Sequence, residues 1–132
     1  MKLDHVGIAV RSLEDSFQAY VSQLGFQVSD IVSIEEQGVR VAILPSGESR
    51  IELLEPTRNT SPIFRFLEKR GEGIHHLCFK VPDIEKELDR LKSTSMKLLN
   101  EAPCLGFENR RIAFLHPSST HGVLIELVEE KE

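Results

Sequence analysis

Apolar and polar positions alternate along residues 3–10. Leu3, His5, Gly7 and Ala9 share one parity, and Val6, Ile8 and Val10 share the other, which predicts a strand with one greasy face. The period then changes. Ser12 with Asp15 three residues on is a variant of the capping box. Leu13, Phe17, Tyr20, Val21 and Leu24 follow at helical spacing, and Gly25 supplies a left-handed stop. Phe26–Ile34 reads as a second strand, Glu36-Gln37-Gly38 as a turn, Val39–Leu44 as a third strand and Arg50–Leu54 as a fourth, across Pro45-Ser46-Gly47-Glu48. Residues 56–61 are polar and form a connector. Ser61 caps a short helix with Pro62 at its first position, running through Ile63, Phe66 and Leu67 to Gly71. The order then repeats: a strand over Ile74–Val81, a helix behind Pro82-Asp83 with Ile84, Leu88 and Leu91, a short strand at Lys97–Leu99, a loop at Glu101–Asn109, and a hairpin of Arg111–Leu115 and Val123–Val128 across Pro117-Ser118-Ser119.

The repetition extends to residue identity. Residues 4–10 match residues 75–81 at a shift of 71, so that His5 meets His76, and Arg40–Leu44 meets Arg111–Leu115 at the same shift. Ile51-Glu52-Leu53-Leu54-Glu55 meets Ile125-Glu126-Leu127-Val128-Glu129 at a shift of 74, because the second hairpin is three residues longer. A self-match of this kind sets the architecture before anything else. The expected fold is α+β: two tandem βαβββ modules, about 1–70 and about 71–132, forming an open, curved sheet around a metal-binding cavity. Within each module the strands after the helix should run antiparallel, with the helix over one face. At 132 residues the chain is one domain by length, and each half alone would be marginal.

Strand parity turns the repeat into chemistry. Val6, Ile8, Ile51, Leu53, Leu77, Phe79, Ile125 and Leu127 fall under the helices, whereas His5, Glu52, His76 and Glu126 fall on the opposite face. If the uncovered faces turn inward, all four polar residues meet in one concavity, with the small residues Gly7 and Cys78 leaving room for a ligand. Two neutral imidazoles and two carboxylates suit a divalent transition metal, because the two carboxylates balance its charge and lower the cost of burial. Co, Mn, Ni, Zn and Mg are all compatible with such a set. A lone strand histidine is usually a hydrogen-bonded structural residue; placing the same pair twice is what favours ligation. His75, of helix-side parity, reads as structural. His116 either lines the ligand site or caps the hairpin, and His121 reads as a solvated turn residue.

Composition narrows the classes. Apolar residues make up 40% and charged residues 28%, as in ordinary soluble domains. A net charge of −5 with no dense basic run argues against a nucleic-acid partner, and no apolar run is long enough for a membrane span. Met1-Lys2-Leu3-Asp4 does not open a signal peptide, so the chain reads as cytoplasmic. Cys78 and Cys104 are too few for a disulfide scaffold and read as two reduced, half-buried thiols.

The doubled His/Glu pattern resembles the vicinal oxygen chelate superfamily, which includes glyoxalase I, extradiol dioxygenases and bleomycin-resistance proteins. Within it the chain is most similar to the methylmalonyl-CoA epimerase branch. That narrower likeness is carried by Leu3–Val10, Glu35–Val39, Ile51-Glu52-Leu53-Leu54-Glu55-Pro56, Ser61-Pro62 to Lys69, Gly71–His76, Phe114-Leu115-His116-Pro117 and Gly122–Leu127. The resemblance implies one divalent metal ion, an acyl-CoA substrate, a homodimer, and epimerisation of a 2-methylmalonyl-type thioester by 1,1-proton transfer through a metal-stabilised enolate. It also implies the ligand set His5, Glu52, His76 and Glu126. Glu126 would serve as ligand and base, with Glu52 as its counterpart by symmetry. Some epimerases bring a further carboxylate from the third strand; here Val39-Arg40-Val41-Ala42-Ile43 brings none, which leaves Glu36, Glu52 or a water as the second acid. The Leu105–Asn109 stretch replaces a glycine-rich loop and would border the ligand. Arg110 and Arg111 are either contacts for CoA phosphates or solvated strand-end charges. The alternative activity is a glyoxalase-I-like lyase acting on a glutathione hemithioacetal. A fourth ligand counts against an extradiol dioxygenase, and an intact ligand set counts against a metal-free binder.

Overall fold

The computed structural model describes residues Met1–Lys131. Eight strands and three helices alternate along them: β1 (Lys2–Ala9), α1 (Leu13–Phe17), β2 (Asp30–Ile34), β3 (Val39–Ser46), β4 (Ser49–Pro56), α2 (Pro62–Arg70), β5 (Gly73–Val81), α3 (Ile84–Lys92), β6 (Cys104–Leu105), β7 (Arg111–Leu115) and β8 (Ile125–Glu129). The chain divides into two compact units, His5–His75 and Met1–Asp4 with His76 onward, so the division falls inside β1 and inside β5. Each unit is a βαβββ module, and α2 follows the first. No helix among the described residues is long and apolar enough to cross a membrane.

In the first unit the strands lie in the order β2-β3-β4-β1, with β2, β3 and β4 antiparallel and β4 parallel to β1. In the second the order is β5-β8-β7-β6, with β8 parallel to β5 and antiparallel to β7. The helix side of each half is apolar, as the parity required. Val10, Leu13, Ala42, Leu44 and Leu53 form one buried cluster, joined by Ile8, Phe17, Tyr20 and Ile51. Val81, Ile84, Leu88, Leu91, Ala113, Leu115 and Leu127 form the other, joined by Phe79 and Ile125. Each fully buried leucine or isoleucine contributes about 1.5–3 kcal/mol.

The helix starts follow the sequence closely. Ser12 Oγ accepts from the Asp15 amide, Ser61 Oγ from that of Ile63 and Asp83 Oδ1 from that of Lys86. The end of the first helix departs from it. After Phe17 the chain widens into a π-helical stretch over Gln18–Gln23, with the Leu24 amide donating to the Ala19 carbonyl five residues back. The wider turn rotates Leu24 away from the core, and it is 66% exposed instead of packed. The second strand is also shorter than its apolar pattern. Phe26 and Val28 pack beside the helix, the Ser29 amide donates to the Ile43 carbonyl, and ladder pairing begins only at Asp30. Gly38 closes the following turn at φ +62, and a side chain there would meet the Arg58 guanidinium, which donates to the Glu35 and Glu36 carbonyls.

In the second half the expected strand at Lys97–Leu99 makes a single bridge, Leu98 to Leu115, and the two-residue strand β6 lies inside what reads as a loop. The Leu99 and Asn100 amides both donate to the Phe114 carbonyl, so this segment hangs on β7 without a ladder of its own. The extra residues of the second hairpin form a 3-10 turn, Pro117–Ser119, where the first hairpin turns on Gly47 and Glu48 alone.

A clamp that the composition gives no hint of appears in both units. Glu55 accepts from the Leu13 amide at the start of α1 and pairs with Arg40, which also holds Glu14. Glu129 accepts from the Ile84 amide at the start of α3 and pairs with Arg111, which also holds Glu85. Arg111 is therefore occupied by two carboxylates. Its guanidinium, together with the Ile84 amide, holds the Glu129 carboxyl below its ordinary value of 4.5. A depressed carboxyl contributes stability that is present above its unfolded value and lost as pH falls through the lower folded one. Glu129→Gln should therefore cost on the order of 1 kcal/mol at pH 7, and the difference from the parent should shrink as melting is followed below about pH 4.5. Parallel melting curves for the two proteins down to pH 3 would contradict this.

Candidate functional site

The uncovered face of each unit carries one buried His/Glu pair. In the first unit Glu52 stands at the middle of β4, with Gly7 of β1 on one side and Ile43 of β3 on the other. His5 lies two residues before Gly7, and its Nδ1 is 3.4 Å from Glu52 Oε2. In the second unit Glu126 stands in β8 between Cys78 of β5 and Phe114 of β7. His76 lies two residues before Cys78, and its Nε2 is 3.3 Å from Glu126 Oε1. His76 also meets the Phe114 ring edge-on, with centroids 6.5 Å apart. Alternation along the strand explains the placement, since Ile51, Leu53, Ile125 and Leu127 take the helix side and leave each glutamate on the other.

All four residues are buried: His5 5% exposed, Glu52 6%, His76 8% and Glu126 9%. Acidic residues are almost never this buried without a partner, and here each faces an imidazole within 3.5 Å. The surroundings of the two pairs differ. Arg50, two residues before Glu52 on the same face, donates from Nε to Glu52 Oε2 at 2.8 Å. At the matching position of the second unit stands Leu124. Around the second pair Cys78 packs with Ile112, Val128 and Phe114 in a small apolar cluster.

Other candidate residues fall away from these pairs or take structural duties. His75 packs edge-on against Phe66 of α2 at 5.0 Å, the structural role its parity implied. His116 Nδ1 accepts from the Ser118 amide at 3.0 Å and caps the 3-10 turn, so the hairpin-cap reading holds. His121 is an exposed turn residue at φ +58. Arg110 forms a two-pronged pair with Asp4, both contacts at 3.0 Å, and is not a bare strand-end charge. Glu108 and Asn109 hold left-handed backbone in the loop before β7. Cys78 is buried, Cys104 is exposed, and neither is in a disulfide. Arg50 is the member of the site that the sequence reading passed over. Its parity signal was present, because a residue two before Glu52 on a strand must share its face.

Two imidazoles and two carboxylates are the donors that a hard-to-intermediate divalent cation takes, and their burial makes each a poor solvent-facing residue. A pair of this kind can hold a cation, and its carboxylate can also accept or return a proton.

Known proteins give the same outline. A model of the Glyoxalase/Bleomycin resistance protein/Dioxygenase superfamily matches residues 4–114. The chain is 45% identical to a hypothetical protein of Bacillus halodurans C-125 of known structure, with a TM-score of 0.96 over 99% of this chain and 95% of that one. It is 39% identical to the ethylmalonyl-CoA/methylmalonyl-CoA epimerase of Cereibacter sphaeroides over 96% of each. A single-substitution variant of the methylmalonyl-CoA epimerase of Streptomyces coelicolor, solved in complex with 2-nitronate-propionyl-CoA, is 38% identical and superposes with a TM-score of 0.88 over 98% of this chain and 94% of that one.

Proposed function

The chain belongs to the Glyoxalase/Bleomycin resistance protein/Dioxygenase superfamily, and on that premise we propose that it is an isomerase, a metal-dependent epimerase of a 2-methylmalonyl-type acyl-CoA thioester. The observation that carries this reading is the doubled, buried His/Glu pair, His5 with Glu52 and His76 with Glu126. In this reading the four residues together hold one divalent ion. The chemistry it supplies when bound is Lewis-acid polarisation of the thioester carbonyl, which offsets the charge left as the α-proton departs. The donor set fits such an ion, since two carboxylates neutralise it in a buried setting and the neutral imidazoles complete the sphere.

The protein's own residues then have to move one proton. Glu126 takes it from one face of the α-carbon, which flattens once the proton has gone, and an acid on the opposite face returns one. That second role falls to Glu52, the repeat mate of Glu126, when one of its oxygens is off the ion, and otherwise to Glu36 or a water. A base and an acid serving opposite faces give inversion without any change of atoms or oxidation state. The likeness to epimerases that act on methylmalonyl-CoA and ethylmalonyl-CoA supports an acyl-CoA substrate. Two cysteines outside any disulfide suit a reducing compartment such as the cytoplasm, and the small size of each module suits a homodimer.

The test is deuterium wash-in. Protein supplied in turn with Co, Mn, Ni, Zn and Mg is incubated with methylmalonyl-CoA in heavy water, and C2 is followed by mass spectrometry. Exchange of the C2 proton with interconversion of the two epimers is the expected result. No exchange with any ion would sink the epimerase reading. Loss of hemithioacetal absorbance in a parallel assay would then select the lyase acting on a glutathione adduct.

A further inference from the structure

The two His/Glu pairs are equivalent by repeat but not by surroundings, and Arg50 is the difference. Arg50 and Glu52 lie on the same face of β4, two residues apart. Arg50 Nε meets Glu52 Oε2 at 2.8 Å, and His5 Nδ1 approaches that same oxygen at 3.4 Å. Neither contact uses Oε1. Both side chains are shielded, Arg50 at 20% exposed and Glu52 at 8%. A guanidinium in that setting fixes a carboxylate more firmly than a surface ion pair does, because less solvent competes. The matching residue of the second half, Leu124, carries no charge and no donor beyond its amide.

We propose that Arg50 is a positioning residue for the metal centre: it ties down Oε2 of Glu52 so that Oε1 is presented to the ion. This rests on the metal reading given above and adds to it the residue that orients one ligand. Groups that hydrogen-bond a ligating carboxylate commonly change metal affinity by about 10–100-fold when removed. The same logic assigns Arg50 a partner-specific effect, exerted through Glu52 alone.

Titration of metal-free protein with Co(II), followed by calorimetry, reads the effect without relying on turnover. Arg50→Met should weaken Co(II) binding by about 10–100-fold. Arg50→Lys should recover part of that loss, since an ammonium reaches a carboxylate but lacks the planar fork. In a Glu52→Gln background the further change Arg50→Met should cost less than about threefold, because the group that Arg50 orients is already altered. Equal weakening in both backgrounds, or unchanged affinity in Arg50→Met, would overturn the proposal while leaving the metal centre standing. If Arg50→Met does not fold, Arg50→Lys against the same two backgrounds gives the comparison. Parent protein that takes up none of Co, Mn, Ni or Zn would overturn the metal reading and this role for Arg50 together.

Discussion

His76→Ala is expected to abolish metal uptake and C2 exchange together. His76 is 8% exposed, contributes an imidazole beside Glu126 at 3.3 Å and packs its ring against Phe114. Alanine removes a ligand and leaves a buried carboxylate facing a void, so both binding and local order suffer. Loss of one of four ligands should weaken the ion by at least about a hundredfold, about 2.7 kcal/mol. Metal content after dialysis and exchange at C2 are the two readouts, and circular dichroism guards against simple unfolding. If the variant keeps its metal, His76 is not a ligand. If it loses metal but exchanges at the parent rate, the reaction does not use the ion.

Glu126→Gln separates two duties of one residue. Glutamine has nearly the same shape and keeps an oxygen for an ion, but its amide cannot take up and return a proton near neutral pH. Metal affinity should fall by no more than about tenfold, and thermal stability should change by only about 1 kcal/mol, the scale of one altered buried hydrogen bond. The exchange rate should fall by about 10²–10⁴, the usual contribution of a general base. The signature is that split: rate lost, fold and metal kept. Full activity in Glu126→Gln would show the base assignment to be wrong. A matched loss of metal and rate would make Glu126 a ligand and nothing more.

Most of the fold was legible because the two halves check each other. The period-2 runs around His5 and His76, the caps at Ser12, Ser61 and Asp83, and the helix-side apolar sets all follow from local rules that tertiary packing did not overturn. What the pattern missed is either an irregular turn or a non-local pairing. The exposure of Leu24 depends on a widened turn that an ideal helical period does not contain. The displaced strand at Cys104–Leu105 depends on which stretch reaches β7, where Lys97–Leu99 has the stronger apolar signal but only one bridge. The duties of Arg110 and Arg111 depend on Asp4, Glu85 and Glu129, which lie up to 106 residues away in the chain. Charged side chains at strand ends carry no periodicity that would name their partners. The two His/Glu pairs could be read from parity and repetition; the guanidinium on one of them was readable by the same parity, since Arg50 stands two residues before Glu52.

The paired clamps, Arg40 with Glu14 and Glu55, and Arg111 with Glu85 and Glu129, have a consequence for ancestry. A lock built from the same three residue types, closing on the same point of the same helix, is what tandem duplication of a gene for one half would leave behind. Such a lock answers to the half that contains it and not to the ligand, so both copies had reason to be kept. Arg50 against Leu124, and the longer second hairpin, are where the copies part. Inherited redundancy frees such positions to diverge, and two equivalent halves become by that route two unlike His/Glu pairs.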